Sequence, residues 1–544
     1  RWLPNLGFGY GYPSFNYYAP LVYYVAMPFV ALDTGIILAL KIVFVLGFFG
    51  AATGMYAVSR PFVGRLGGIL AAMTYTYLPY HLADAYVRGA LPEFLSFAIV
   101  PFALWGLYHA IVHDSRGHAA AFGLGLACLI LNHNPSVLLF GPIIVLFALV
   151  MAWKEGRWKR LVPPAIAAAT AVFASAFYWL PALAEVGAIR ASQIIRDPAL
   201  MLSQLSPAHE LVSPYLIYRY YPHQGRLLEH PFGIVPTVLA LAAGALILWR
   251  RRHLQRPHWA WVGLCGAALA GGVIMMLPVS AWLWQRFPPL LYIQFPWRWQ
   301  LVASFGIAGL MGCWAPGIRS PAPWRRDRPS WLGWSGALAL TAVLAGASMP
   351  NLPRESLTFP GEENIISESD ITLEGMVKYE YGMFLAARIW KDPWLFESLP
   401  VWVSVPPQEL VLPLEKPAVA DNPPPLRRLQ VERRAPLRWD LRLTADQATS
   451  VRLHSFYFPG WKARLDGQPV AVHPSTPLGL LTFTVPAGEH EVTVRFGTTP
   501  ARLAGTLLSA AALIASAAWL IFTRRGRVLA YDVIALVVFT GVWM

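Results

Sequence analysis

Long apolar runs separated by short polar breaks dominate this sequence and constrain its fold more than any other feature. A helix that crosses the hydrocarbon core of a bilayer needs about 20 apolar residues, with roughly 17–25 tolerated. Twelve stretches read as crossings, several of them short at the edges: residues 35–58, 66–80, 93–112, 118–132, 136–153, 161–181, 233–249, 258–278, 297–316, 331–349, 501–522 and 528–544. Composition agrees, with 56% hydrophobic and 13% charged residues in 544, against about 45–50% and about 25% in soluble domains. The expected fold class is an α-helical polytopic membrane protein. A soluble enzyme and a disordered chain are both excluded.

The formal net charge of +14 raises nucleic acid as a partner until the basic residues are located. They fall in alternate loops: Arg60 and Arg65; Arg116; Lys154, Arg157, Lys159 and Arg160; Arg250, Arg251, Arg252 and Arg256; Arg319, Arg325, Arg326 and Arg328; Arg524, Arg525 and Arg527. Those loops carry only Asp114, Glu155 and Asp327 in return, so they account for the whole excess. The short loops between them, 81–92, 133–135 and 279–296, hold just two basic residues, Arg88 and Arg286. The positive-inside rule makes the first set cytoplasmic. Residues 81–92, 133–135, 182–232, 279–296 and 350–500 are then outside, and nucleic acid drops out as a partner. Cys128, Cys265 and Cys313 all lie in apolar runs, which disfavours a disulfide framework or a thiolate zinc site.

The sequence begins at Arg1, Trp2 and Pro4 with no basic-then-apolar leader, so a fragment that starts downstream of its true beginning is expected. Residues 16–32 are apolar but interrupted by Pro20 and Pro28. They either span, with Arg1 inside, or lie flat on the outer surface, with Arg1 outside.

Residues 350–500 break the apolar pattern. Arg438 to Leu443, Thr449 to Tyr457, Thr482 to Val485 and Glu491 to Phe496 alternate, with Asp466-Gly467 and Ala487-Gly488 as turn signals. This pattern predicts a compact antiparallel β domain of sandwich type. Its aromatics Phe456, Tyr457, Phe458 and Trp461 read as sheet core ahead of a sugar-stacking platform.

Polar residues at helix ends cost free energy in a membrane unless they face a cavity or a partner, and here they gather on the outer side. The 81–93 segment offers His81, Asp84, Tyr86, Arg88 and Glu93 around Gly89 and Pro92. Arg88 with the amides of the helix starting near Pro92 suits an anion; equally, Arg88 and Glu93 suit a structural ion pair. Asn132, His133, Asn134 and Pro135 form a second polar turn, where His133 is a satisfied turn residue, or else a general base or metal ligand. Gln294, Phe295, Pro296, Trp297, Arg298 and Trp299 form a third. Arg298 there either binds phosphate bidentately or snorkels between tryptophans. The three turns read as the rim of an outward-opening cavity. The loop 182–232 adds Glu185, Arg190, Arg196, Asp197, His209, Glu210, Arg219 and His223, and loops of that length are usually functional. Zinc-protease, serine-hydrolase and phosphate-cradling glycine motifs are missing from the chain.

The run Gly9-Tyr10-Gly11-Tyr12-Pro13, then Phe15-Asn16-Tyr17-Tyr18-Ala19-Pro20-Leu21 and Tyr23-Tyr24, resembles the first outer loop of the GT-C superfamily of membrane glycosyltransferases. In that superfamily such a stretch opens a helix lying flat on the outer face. Tyr86-Val87-Arg88-Gly89-Ala90-Leu91-Pro92-Glu93, His133-Asn134 and Gln294-Phe295-Pro296-Trp297-Arg298 resemble bacterial membrane proteins with a 6-pyruvoyl-tetrahydropterin-synthase-related domain. The label carries no pterin chemistry here, since the sequence has no zinc-binding histidine set. Phe456-Tyr457-Phe458-Pro459-Gly460-Trp461-Lys462-Ala463, with Val485-Pro486-Ala487-Gly488-Glu489-His490, resembles the C-terminal region of YfhO-like proteins.

The resemblance implies a first outer loop at 1–34, a GT-C-like bundle at 35–349, an extracytoplasmic β domain at 350–500 and closing helices at 501–544. It also implies a hexosyltransferase in the bacterial cytoplasmic membrane. Such an enzyme moves sugar from a polyprenyl-phosphate donor to an extracytoplasmic glycan or lipid. Asp84, Glu93 and His133 become candidates for base or positioning work. Arg88, Arg298, Tyr17, Tyr18, His81 and Asn134 become candidates for substrate binding. The early acid that GT-C enzymes carry in this loop is expected upstream of Arg1, and Tyr18 stands where some relatives have a lysine. No nucleotide motif is present, and a divalent metal is left open. A flippase or transporter, or a non-catalytic assembly partner for surface polysaccharide, is the alternative.

Overall fold

The computed structural model describes residues 1–192, 198–212, 232–249, 256–314, 331–348, 372, 374–375, 398–405, 426–435 and 437–522. The expected span 528–544 and the loop residues Arg196, Asp197, Arg219 and His223 lie outside them. The chain divides into two compact units. One comprises Arg1–Tyr18, Ala176–Arg196 and Ser356–Leu508; the other comprises Ala19–Ser175, Asp197–Glu355 and Ser509–Met544.

The second unit is helical. Its main elements are α1 (Leu21–Ala31), α2 (Ile36–Tyr77), α3 (Pro79–Tyr86), α4 (Leu91–Val112), α5 (Arg116–Asn132), α6 (Asn134–Glu155), α7 (Arg256–Met276) and α8 (Gln300–Met311). The 42 residues of α2, if straight, would measure about 63 Å at 1.5 Å per residue. That is twice the ~30 Å hydrocarbon thickness. The backbone breaks at Gly64 (φ 73°, ψ −175°), and a Cβ added to Gly68 would come within 2.9 Å of the Tyr56 ring. Residues twelve apart in a straight helix are separated by about 18 Å, so the two limbs double back between Arg60 and Arg65.

Five helices among the described residues are long and apolar enough to cross a membrane: α2, α4, α6, α7 over His258–Met276, and a helix α9 (Pro500–Phe522) over Pro500–Ala518. Other expected crossings form shorter helices. Segment 118–132 lies in the 17-residue α5 and 233–249 gives the 16-residue Ile234–Trp249. Segment 161–181 gives Val162–Ala174 and stops at Ser175, whose hydroxyl bonds back to Ala171 O. Segment 297–316 spends its start on the 3₁₀ turn Pro296–Trp299 before the 12 residues of α8. The 11 residues of α1 reach about 16 Å, too short to cross. Val22 and Ala26 of α1 pack on Val43 of α2 and on Leu91, Phe94 and Leu95 of α4.

Helices α7 and α8 meet through a seam of small residues, the usual device where apolar helices must approach closely. A Cβ on Gly306 would lie 2.5 Å from Cys265 O and 2.6 Å from Leu269 N. Trp261 Nε1 donates to Gly309 O across the seam at 3.0 Å. Gly306→Val is expected to cost about 1–3 kcal/mol through overpacking. Thermal unfolding of the detergent-solubilised protein measures it against Gly141→Val, where an added Cβ meets nothing within 4 Å.

Among its described residues the first unit holds eight strands: β1 (Leu426–Ala435), β2 (Arg438–Ala445), β3 (Thr449–Phe456), β4 (Trp461–Leu465), β5 (Gln468–Val470), β6 (His473–Pro474), β7 (Leu480–Val485) and β8 (Gly488–Phe496). They form an antiparallel five-stranded sheet, β1-β2-β8-β4-β5, and a three-stranded sheet, β3-β7-β6. Asp466 (φ 48°) and Gly467 (φ 82°) make the two-residue turn joining β4 to β5, the geometry that primed hairpin turns require. Ala487 lies between β7 and β8, strands of different sheets.

Both sheets bury one core: Leu441, Trp461 and Val494 from the larger, Val451, Leu453 and Phe483 from the smaller. Phe456, Phe458 and Trp461 are all buried in it. The same core takes in Trp2, Phe8 and Tyr10, from a segment expected to belong with the first outer loop. Phe456 N donates to Tyr10 O at 3.0 Å, Tyr10 stacks on Phe456, and Trp2 meets the Trp461 ring edge-on at 5.7 Å.

Candidate functional site

Tyr80 and Asp84 stand one turn apart on α3, so they share a face. After α3 the chain reverses through Gly89 (φ 58°), with Ala90 N bonded to Asp84 O at 2.9 Å. This returns Glu93, in the first turn of α4, to the side of Arg88. Arg298 arrives from the 3₁₀ turn before α8. It is oriented by Gln294, a non-glycine residue held at φ 68°. Such backbone costs free energy and persists where its surroundings dictate it.

These groups make one network. Glu93 Oε1 accepts from the Tyr80 hydroxyl, and Glu93 Oε2 receives Arg88 Nη2 at 3.0 Å and pairs with Arg298 Nε at 3.2 Å. Arg88 Nη1 donates to Asp84 Oδ1 and, at 3.2 Å, to Tyr80. Arg298 Nη1 donates to Ile293 O and to Gln294 Oε1, each at 2.8 Å. Aromatic rings fill the space between the cations. Arg298 lies over Phe295 at 5.1 Å, Phe295 stacks on Trp297 at 4.9 Å, and Arg88 covers Trp297 at 4.4 Å. Cation–π contacts of this kind gain strength when desolvated.

Asp84 is wholly buried and the Glu93 side chain is 2% exposed; each guanidinium-bearing side chain is 11% exposed. Burial pushes the Asp84 carboxyl well above the ordinary range, and the negative charge of Glu93 adds to the rise against the pull of Arg88. Burial alone would lower Arg88, but Glu93 and Asp84 outweigh it and hold its proton more tightly. Asp84 Oδ2 is buried with no hydrogen-bond partner among the described residues.

The turn at 132–135 borders this network. Asn132 Nδ2 donates to Pro92 O and, at 3.1 Å, to Ser96 Oγ. His133 Nδ1 sits 2.7 Å from Ser136 Oγ. Burial brings the His133 pKa down to about 3, with Glu93 pulling it up and Arg298 and Arg88 pushing it further down. It is a neutral and weak base. Asn134 opens α6 and is half-buried.

The remaining sequence candidates lie elsewhere. His81 stacks on Phe94 and Phe97 with Nδ1 3.1 Å from Thr76 O, and burial lowers its pKa to about 3. Tyr17 and Tyr18 belong to the β unit. Tyr17 donates there to Glu185 O at 2.6 Å, and Tyr18 is exposed. That unit has its own ion cluster, which the sequence reading missed. Glu185 Oε2 receives Arg502 Nη2 at 2.8 Å and Asn16 Nδ2 at 2.9 Å. Glu185 Oε1 receives Thr499. A cleft of about 580 Å³ beside it is walled by Trp402, Pro459 and Pro500, but the Glu185 oxygens facing it are already engaged. Tyr80 was also missed, although its i, i+4 spacing to Asp84 was a usable signal.

Among the described residues no group of three His, Cys, Asp or Glu is placed to hold a metal ion. The profile of a membrane-protein family described as "6-pyruvoyl-tetrahydropterin synthase related domain" matches residues 15–297, more than half of the chain. No curated protein and no solved structure gives a significant match.

Proposed function

The chain belongs to the 6-pyruvoyl-tetrahydropterin synthase related membrane-protein family, and from that premise we propose that it is a glycosyltransferase. It takes sugar from a polyprenyl-phosphate carrier and passes it to a glycan or lipid on the outer face of a bacterial cytoplasmic membrane. One observation carries this reading: two carboxylates and two guanidiniums are gathered, nearly buried, at the ends of apolar helices. Ionisable groups at such depth are costly and mark functional pathways by default. Transfer to a hydroxyl requires a carboxylate to accept a proton and a cation to meet the charge that develops on the leaving phosphate. Asp84 and Glu93 suit the first task, Arg88 and Arg298 the second.

The topology supports the same reading. We read the twelve apolar stretches of the sequence as the crossings of a GT-C-like bundle; five helices among the described residues are long and apolar enough to span. The basic loops around Arg60, Arg116 and Arg157 stay in the cytoplasm. The turns at 81–92, 133–135 and 294–298 then face outward.

A second reading has its own support, because both guanidiniums are already neutralised by carboxylates. A charge-balanced network is also what a non-catalytic assembly partner needs to lock its helices. Reconstituted protein is given polyprenyl-phosphate-linked radiolabelled hexose and extracted envelope glycan. Arg298→Ala is expected to lower transfer by about 10²–10³-fold, the scale for losing one electrostatic stabiliser, with Arg88→Ala at least as damaging. Full transfer by both variants sinks the enzyme reading.

A further inference from the structure

The charge network has two loose ends. Glu93 is saturated, with Tyr80 on one oxygen and both arginines on the other. Arg88 spans Asp84, Tyr80 and Glu93 through both terminal nitrogens while lying against Trp297. Asp84 has only Oδ1 engaged, leaving Oδ2 as a buried acceptor without a donor. Arg298 engages Ile293 O and Gln294 Oε1 through Nη1, whereas its buried Nε pairs with Glu93 Oε2 at 3.2 Å as an ion pair without a hydrogen bond among the described residues. A buried acceptor left unmatched costs roughly 1–3 kcal/mol, a penalty that a ligand hydroxyl would remove.

We propose that these two ends are the ligand-facing groups. Asp84 Oδ2 takes the proton of an acceptor hydroxyl, and the incompletely bonded Arg298 guanidinium receives a phosphate. Glu93 and Arg88 act as positioning residues that never leave the network. This rests on the glycosyl-transfer reading for the reaction itself. In that step the acceptor O–H bond breaks and its proton passes to Asp84 Oδ2. The acceptor oxygen bonds to the anomeric carbon while the bond from that carbon to the phosphate oxygen breaks. The electron pair leaves on the polyprenyl phosphate, beside Arg298. The upward push on the Asp84 carboxyl makes it the stronger base of the two acids.

The test uses the full chain in nanodiscs. Polyprenyl phosphate binding is followed by a thermal-shift or fluorescence titration, and carboxyl protonation by infrared difference spectroscopy across a pH series. Arg298→Ala and Arg298→Lys are expected to weaken polyprenyl phosphate at least tenfold. Asp84→Asn, which keeps shape and can still accept from Arg88, is expected to bind it within twofold. It should nonetheless lose transfer and the titrating carboxyl band. Asp84→Glu should restore some transfer with a displaced acid limb of the pH profile. Unchanged transfer and pH profile in Asp84→Asn, or unchanged phosphate binding in both Arg298 variants, overturns the assignment. If wild type shows no transfer yet binds polyprenyl phosphate through Arg298 and titrates at Asp84, the glycosyl-transfer reading fails while the ligand-facing assignment stands.

Discussion

Glu93→Gln is expected to destabilise the protein by about 3–5 kcal/mol, the range for removing one partner from a buried ion pair. Glu93 is the only carboxylate that touches both Arg88 and Arg298 among the described residues. Glutamine keeps the shape but leaves two nearly buried cations facing the single charge of Asp84. The aromatic column of Phe295 and Trp297 cannot compensate, because cation–π contacts supply about 0.5–2 kcal/mol against several kcal/mol per desolvated ion. Denaturant or thermal unfolding in detergent measures the loss. The double variant Glu93→Gln/Arg298→Met should recover part of it, since it removes one stranded charge. A loss below about 1 kcal/mol, the value for exposed pairs, means that water reaches the network freely and the buried description is wrong.

Trp461→Ala is expected to cost about 3–5 kcal/mol, as large aromatic truncations in a packed core do, and the loss should be confined to the β unit. Its indole is 4% exposed and packs against the rings of Trp2, Trp439 and Phe496 at 5.7, 6.1 and 5.3 Å. No described neighbour is shaped to fill the cavity, because Trp2 is itself fixed by the Leu3–Tyr12 bridge. Hydrogen exchange is the informative probe. The amides of Leu3, which donates to Tyr12 O, and of Phe456, which donates to Tyr10 O, should lose protection together. Protection retained at Leu3 with loss at Phe456 would mean that the N-terminal segment is held by something other than this core.

How much was legible in the sequence depends on whether the signal was local. Strands β2, β3, β7 and β8 announce themselves by alternation. Strand β1 does not, because it occupies the sheet edge and carries Arg427, Arg428, Arg433 and Arg434, charges that edge strands favour and that mask the pattern. The fold-back of α2 was legible from Arg60 and Arg65 interrupting an apolar run. The order and composition of the three polar turns pointed to Arg88, Glu93 and Arg298 as a set. Their division into saturated and open atoms was not readable, since it depends on the φ of Gln294 and the reversal at Gly89. His81 reads as chemistry because an imidazole stands beside a polar turn, and its stacking on Phe94 and Phe97 depends on helix packing that no local pattern announces. Nothing local tells Trp2, Phe8 and Tyr10 that their neighbours are strands encoded far downstream.

That last arrangement bears on how the protein is made. Trp2, Phe8 and Tyr10 leave the ribosome hundreds of residues before the strands that bury them. At about 5–20 residues per second they wait on the order of tens of seconds while the intervening helices are inserted. The β unit therefore completes its core only after its C-terminal strands emerge. Expressed as an isolated C-terminal fragment, it would present a vacant aromatic socket at Trp461 and Phe456.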